Sequence, residues 1–136
     1  MTIEADIVTT LSAAAGVTSV IGSGANCRLY AVEAPQDVTY PCVVYQRIAS
    51  TFEQAFGTAE PVAAYHPVFQ FSCWSSDVDS PLSVRALAAA VRDGLLTMTG
   101  STVTVYSRSL LGQREEFDEE GQLHRVDLDV ELVHSA

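Results

Sequence analysis

The sequence predicts an α+β fold: a mainly antiparallel sheet of four to five strands, with two helices packed on one face and a projecting hairpin. Three observations carry this. An apolar period of 3.6 residues occurs twice, near the N-terminus and again over residues 81–95. A two-residue period marks the strand candidates, most cleanly in HRVDLDVELV near the C-terminal end. The order helix, strands, helix, strands is that of an α+β layer. At 136 residues the chain is expected to be one domain, 1–136, that buries roughly two-thirds of its unfolded surface and needs no disulfide or metal staple.

Thr2 is a candidate N-cap for the first helix. Ile3, Ile7, Val8 and Leu11 share a face, Glu4 and Asp6 lie in the first turn, and Gly16 is the expected stop. Residues 17–41 dissolve into Gly, Ser, Asn and Pro and read as a long, partly ordered connection, with room for a brief strand at 27–32. Strands are expected at 42–52 and at 68–74, where Phe69, Phe71 and Cys73 alternate with Gln70 and Ser72. Between them, Gly57 with apolar flanks predicts an extended hairpin, and Pro61 and Pro67 argue against a central strand there. Asp77, Asp79 and Ser80 offer caps and Pro81 a first helical position for the main helix, whose stripe is Val84, Leu87, Ala88, Val91 and Leu95. Gly94 costs that helix about 1 kcal/mol unless close packing needs it, and Gly100 marks the exit. A strand at 101–109, an acidic turn at 118–121 and the alternating C-terminal strand complete the set.

Composition excludes several classes. Apolar residues at 48% against 18% charged exclude wholesale disorder, and no apolar run reaches the roughly 20 residues of a membrane span. Acids stand where a secretion signal carries Arg or Lys, so no export is expected. Cys27, Cys42 and Cys73 are odd in number and unevenly spaced, which fits reduced thiols rather than a disulfide framework. The net charge is -10, and all seven basic residues are Arg; such a balance repels phosphate backbones.

Candidate chemistry is sparse. Cys73 or Cys42 with His66 or His124 would make a Cys/His hydrolase, but Cys73 lies on an apolar strand face, His66 adjoins Pro67 in a loop and His134 falls in a tail. Glu116, Asp118, Glu120, Gly121 and Asp127 can be laid on a calcium loop, with the wrong residue types at three places and strands where helices should flank it. No catalytic residue, metal ligand or cofactor site is assigned. The acids themselves are the outstanding feature: Glu115, Glu116, Asp118, Glu119, Glu120, Asp127, Asp129 and Glu131 face only Arg114 and Arg125 between positions 114 and 131. If Val126, Leu128, Val130 and Leu132 face the core, then Asp127, Asp129 and Glu131 share the opposite face. Were that face a subunit interface, Arg47, Arg108 and Arg114 are the available partners. Phe52, Phe56 and Tyr65 sit near the hairpin tip, where exposed aromatics mark contact with a neighbouring subunit or another protein.

The order of the N-terminal helix, a Gly-rich turn, Arg28-Leu29-Tyr30, Ala34-Pro35-Gln36 and Tyr40-Pro41-Cys42-Val43-Val44-Tyr45-Gln46 resembles the tail completion or tail terminator proteins of long-tailed bacteriophages. The resemblance continues through residues 69–74, Val84-Arg85-Ala86-Leu87 and Gly121-Gln122-Leu123-His124-Arg125, covering nearly the whole chain. It implies a structural virion protein at the tail and neck, made in the host cytoplasm. Such a protein forms a hexameric ring that caps the tail tube and joins it to the head completion protein, leaving a channel through which DNA passes without specific binding. It involves no membrane and no cofactor. Size agrees with a ring: a globule of this length is roughly 37 Å across, so four in a ring leave a hole of about 15 Å and six leave about 37 Å, whereas a duplex needs about 20 Å. An acidic lumen or rim repels phosphates and lets DNA slide. Two other classes use the same features, an acidic module that mimics nucleic acid and the small Cys/His hydrolase.

Overall fold

The structure, a computed structural model, describes residues 2–54, 62–76 and 81–135. In chain order the elements are α1 (Ile3–Ala13), α2 (Ala15–Ile21), a 3-10 turn (Gly24–Asn26), β1 (Leu29–Ala31), β2 (Cys42–Gln54), β3 (Val62–Ser75), α3 (Leu82–Leu96), β4 (Val105–Asp118) and β5 (Leu123–His134). The five strands form one sheet in the order β1-β2-β3-β5-β4. All neighbours are antiparallel except β1 and β2, which run parallel, so the sheet is mixed rather than purely antiparallel.

Three helices, not two, cover one face. The Thr2 hydroxyl caps α1 by accepting from the Ala5 N–H, but the helix breaks at Ala14, whose backbone is extended, before the expected stop at Gly16. The Ala14 carbonyl restarts the chain as α2 by accepting from Val17 and Thr18. Gly16 lies inside α2, where a Cβ would stand 3.3 Å from that of Ala90; it serves close packing on α3 and not termination. The expected loose connection over 17–41 is therefore ordered at its start, with Val17 and Ile21 fully buried. Arg28 fastens its remainder by donating to the carbonyls of Val20 and Pro41.

The α3 stripe and the β5 alternation are as expected. Val84, Leu87, Ala88, Val91 and Leu95 meet Val126, Leu128, Val130 and Leu132, together with Phe69, Phe71 and Val43, in one core. Each of the larger side chains contributes roughly 1.5–3 kcal/mol by leaving water. The expected caps Asp77, Asp79 and Ser80 lie outside the described residues, and Pro81 stands one position before the helix. The strand expected at 101–109 instead runs from Val105 to Asp118, because residues 101–104 turn around Asp6.

Pro67 sits inside β3, a strand with neighbours on both sides, against expectation. It is tolerated because the β3–β5 ladder skips from Tyr65–His134 to Val68–Glu131, so Pro67 has no partner residue on β5, while on its other side it stands opposite Ser50 of β2. The β2–β3 hairpin continues two rungs beyond the row Phe52–Tyr65–His134, to Glu53–Ala64 and Gln54–Val62; Phe56, Gly57 and Pro61 lie outside the described residues. Beside β2, β1 covers only Val43 to Tyr45. Among the described residues no strand lies along the outer edge of residues 46–54, nor along the outer edge of β4.

Candidate functional site

The sheet face away from the helices carries the polar residues of the central strands. Along β5, Arg125, Asp127, Asp129 and Glu131 alternate with the fully buried core positions, so the register argument holds. Burial on this second face is uneven, however. Asp127 is only 3% exposed and is held within its own chain. The Ser72 hydroxyl on β3 donates to it at 2.7 Å, the Nε of Arg125 lies 3.2 Å away as an ion pair, and Arg114 on β4 reaches to 3.6 Å. Arg125 also pairs with Glu116 and lies 5.1 Å over the Trp74 ring. Its guanidinium thus stands between Glu116 and Asp127, the ends of the calcium loop weighed from sequence, and supplies the positive charge there.

Residues 32–41 fold over one end of this face and leave a concavity of about 410 Å³, floored by Ser72, Trp74 and Asp127 and walled by Glu33 and Tyr40. Val32 opens this wall with a φ of 71°, a left-handed conformation unusual for a β-branched residue. Cys42 lines the same hollow, but burial pushes its thiol up to about 11, and burial pushes that of Cys73 higher still. Both stay protonated at neutral pH and make poor nucleophiles. His66 lies in β3, not in a loop, with its Nε2 3.1 Å from Glu53. His134 is no tail residue: it ends β5, buried and stacked on Tyr65.

The remaining acids divide into two groups. Glu115 receives two hydrogen bonds from Arg85 of α3, at 2.7 and 2.9 Å, and this pairing lowers its pKa. Together with Glu116 and Asp127 it is neutralised by arginines of the same chain. Asp118, Glu119 and Glu120 at the β4–β5 turn, and Asp129 and Glu131 on the strand, have no ion pair among the described residues. Asp118 spends one oxygen on the Glu120 N–H. Of the expected arginine partners, Arg47 pairs with Glu4 of α1 and Arg108 donates to the Met98 carbonyl, both on the helix side. Only Arg114, on the open face, remains largely exposed.

The hairpin aromatics part company. Phe52 is 54% exposed, whereas Tyr65 tucks against the His134 ring at 5.5 Å because β5 reaches that far; Phe56 lies outside the described residues. Sequence reasoning passed over Asp6. This α1 carboxylate, 1% exposed, accepts from the Ser101 hydroxyl and from the Thr102 and Val103 N–H groups at 2.9–3.1 Å. Burial alone would raise its pKa, but those donors outweigh it and bring the carboxyl down to about 2. An acid in the first turn reads as helix-dipole compensation, and nothing local distinguishes it from a clamp on a loop 95 residues away.

A family model described as tail completion protein gp17 matches residues 5–135. Among solved structures the chain is similar to one from the virion of a native gene transfer agent particle, with a TM-score of 0.72 and 17% identity over 98% of this chain and 95% of that one. At that identity the likeness is one of fold. No curated protein matches the chain in sequence.

Proposed function

Because the chain belongs to the tail completion protein gp17 family, we propose that it is a structural component of a virion tail: a ring of six copies that caps the tail tube, joins it to the neck and leaves a passage for DNA. The observation that carries this reading is the family match over nearly the whole chain. Two physical points support it. A ring of six globules this size leaves a hole of about 37 Å, ample for a duplex. Asp118, Glu119, Glu120, Asp129 and Glu131, left without arginine partners, are the acids proposed to face the lumen or its rim, where negative charge lets a polyanion slide without sticking. Glu115, Glu116 and Asp127 leave that set, since their charge is already matched inside the chain.

The same pairing counts against a nucleic-acid mimic, which needs its acids free to imitate a phosphate row. Protonated, buried thiols count against a Cys/His hydrolase. Native mass of the purified chain, alone and with isolated tail tubes, together with negative-stain images of the tube ends, tests the proposal. A mass near six copies and a disc on one end of each tube is expected. A chain that stays monomeric in both conditions refutes it.

A further inference from the structure

The sheet has two open edges, and the apolar residues exposed on them match. On β2, Ile48 is 48% and Phe52 54% exposed; on β4, Tyr106 is 57% and Leu111 56% exposed. Between Ile48 and Phe52 and between Tyr106 and Leu111 these edges lack the outward charges that usually blunt an exposed strand, which stand instead at Glu53 on β2 and at Arg114, Glu115, Glu116 and Asp118 on β4. Residues 48–52 carry none, and Arg108, the charged residue between Tyr106 and Leu111, turns inward to the Met98 carbonyl. Ile48, Tyr106 and Leu111 each fall at a break in register, where an extra residue is squeezed out of the ladder and its side chain re-aimed.

The register across the sheet places these residues level with one another. Phe52 shares a row with Tyr65, His134 and Val105, next to Tyr106. Ile48 lies beside the row of Phe69, Val130 and Leu110, next to Leu111. On β2 the pair is three and a half rungs apart and on β4 four, about 12 and 14 Å at the usual rise of about 3.4 Å per residue. The directions also suit: β4 runs opposite to β2 in the same sheet, so copies repeated side by side bring the two edges together antiparallel. A cyclic assembly has no translation along its axis, so with strands near that axis neighbours meet level to level. β1 stands beside Val43 to Tyr45, at the level of Gln113 to Glu115, and the bulge at Leu111 lies two residues before that level on β4.

We propose that the β2 edge of one copy packs on the β4 edge of the next, Ile48 against Leu111 and Phe52 against Tyr106, as the repeating contact of the ring. The inference rests on the ring reading above and adds which surfaces meet. It commits to a second copy because each edge supplies what the other lacks, in spacing, level and direction, so the contact is heterologous and propagates. The sheets then run round the ring, and the open face with Asp129 and Glu131 lines one side of a continuous wall.

Paired cysteines test it. Ile48→Cys with Leu111→Cys, and separately Phe52→Cys with Tyr106→Cys, both with Cys27→Ser, are treated with a short bis-maleimide under conditions where native mass shows the oligomer. Each pair is expected to give a covalent ladder ending at the ring number, while each single variant stops at the dimer or below. Val8→Cys with Leu82→Cys, both exposed on the helical side, is expected to give no ladder. An intact oligomer that leaves both edge pairs unlinked overturns the edge contact and spares the ring. A wild-type chain that is monomeric with and without tubes overturns the ring reading and this contact with it.

Discussion

Replacing Asp6 by Asn removes a buried carboxylate that ties α1 to the turn before β4. In the folded chain its pKa falls from an ordinary 3.8 to about 2. At about 1.36 kcal/mol per pH unit, that difference is worth about 2.5 kcal/mol at neutral pH. The folded pKa is depressed, so the contribution is complete above pH 4 and fades as pH falls through 2; about half is gone by pH 3. The amide keeps one acceptor but turns an NH₂ toward the Thr102 and Val103 N–H groups, leaving donors unpaired at a further cost of about 1–3 kcal/mol. Urea unfolding at pH 7, 4 and 3 measures it. Asp6→Asn is expected to lose about 3.5–5.5 kcal/mol at pH 7, and the gap to wild type should narrow by more than about 1 kcal/mol at pH 3. Other carboxyls titrate in both proteins and cancel in the difference. A gap independent of pH refutes the argument that the carboxylate charge, held by those donors, is what stabilises the turn.

Gly100→Ala should destabilise the same turn by about 2 kcal/mol or more, since φ is +78° and a Cβ would stand 2.4 Å from the Val103 carbonyl oxygen; a urea midpoint at the wild-type value contradicts this. Gly94→Ala should move the midpoint the other way, gaining up to about 1 kcal/mol, because the added methyl meets Leu11 and Ala14 at 3.5 and 3.8 Å, ordinary contact distances. Of the three thiols, at most half-buried Cys27 should react with Ellman's reagent at pH 8, with Cys42 and Cys73 joining only in denaturant; two or three fast thiols in the folded chain contradict the assigned burial. Converting Asp118, Glu119, Glu120, Asp129 and Glu131 to amides should leave ring assembly intact and slow DNA passage, most visibly at low salt where screening is weakest; passage at the wild-type rate means these acids only solubilise.

Much of the fold is legible because period sets face. The α3 stripe names its buried residues without error, and the β5 alternation names the four apolar core positions, since a one-residue slip in β5 would bury three acids in the core, though it misses the burial of Asp127 and His134. What escapes such reasoning is set by partners far along the chain. Gly16 looks like a helix stop but answers to Ala90. Pro67 looks incompatible with a central strand, and becomes compatible only because the neighbouring ladder opens at that rung. The length of β4 is hidden because it is an edge strand whose second half, residues 113–118, is exposed throughout, so no apolar period marks it.

The acidic segment shows the same division at the level of function. Eight acids against two arginines between positions 114 and 131 suggest one continuous negative surface, yet net charge in a window records no pairing. Arg85, thirty residues upstream on α3, claims Glu115. Arg125 bridges Glu116 and Asp127, and Ser72 completes the burial of Asp127. These pairings split the segment into a quiet centre and two free groups, the turn acids and the strand acids Asp129 and Glu131. The free groups alone can repel a passing polyanion, because a carboxylate already matched by a guanidinium projects little field beyond about a Debye length, some 8–10 Å in physiological salt. Any electrostatic role therefore belongs to the acids the fold leaves unmatched, and the amide variants above address those five and no others.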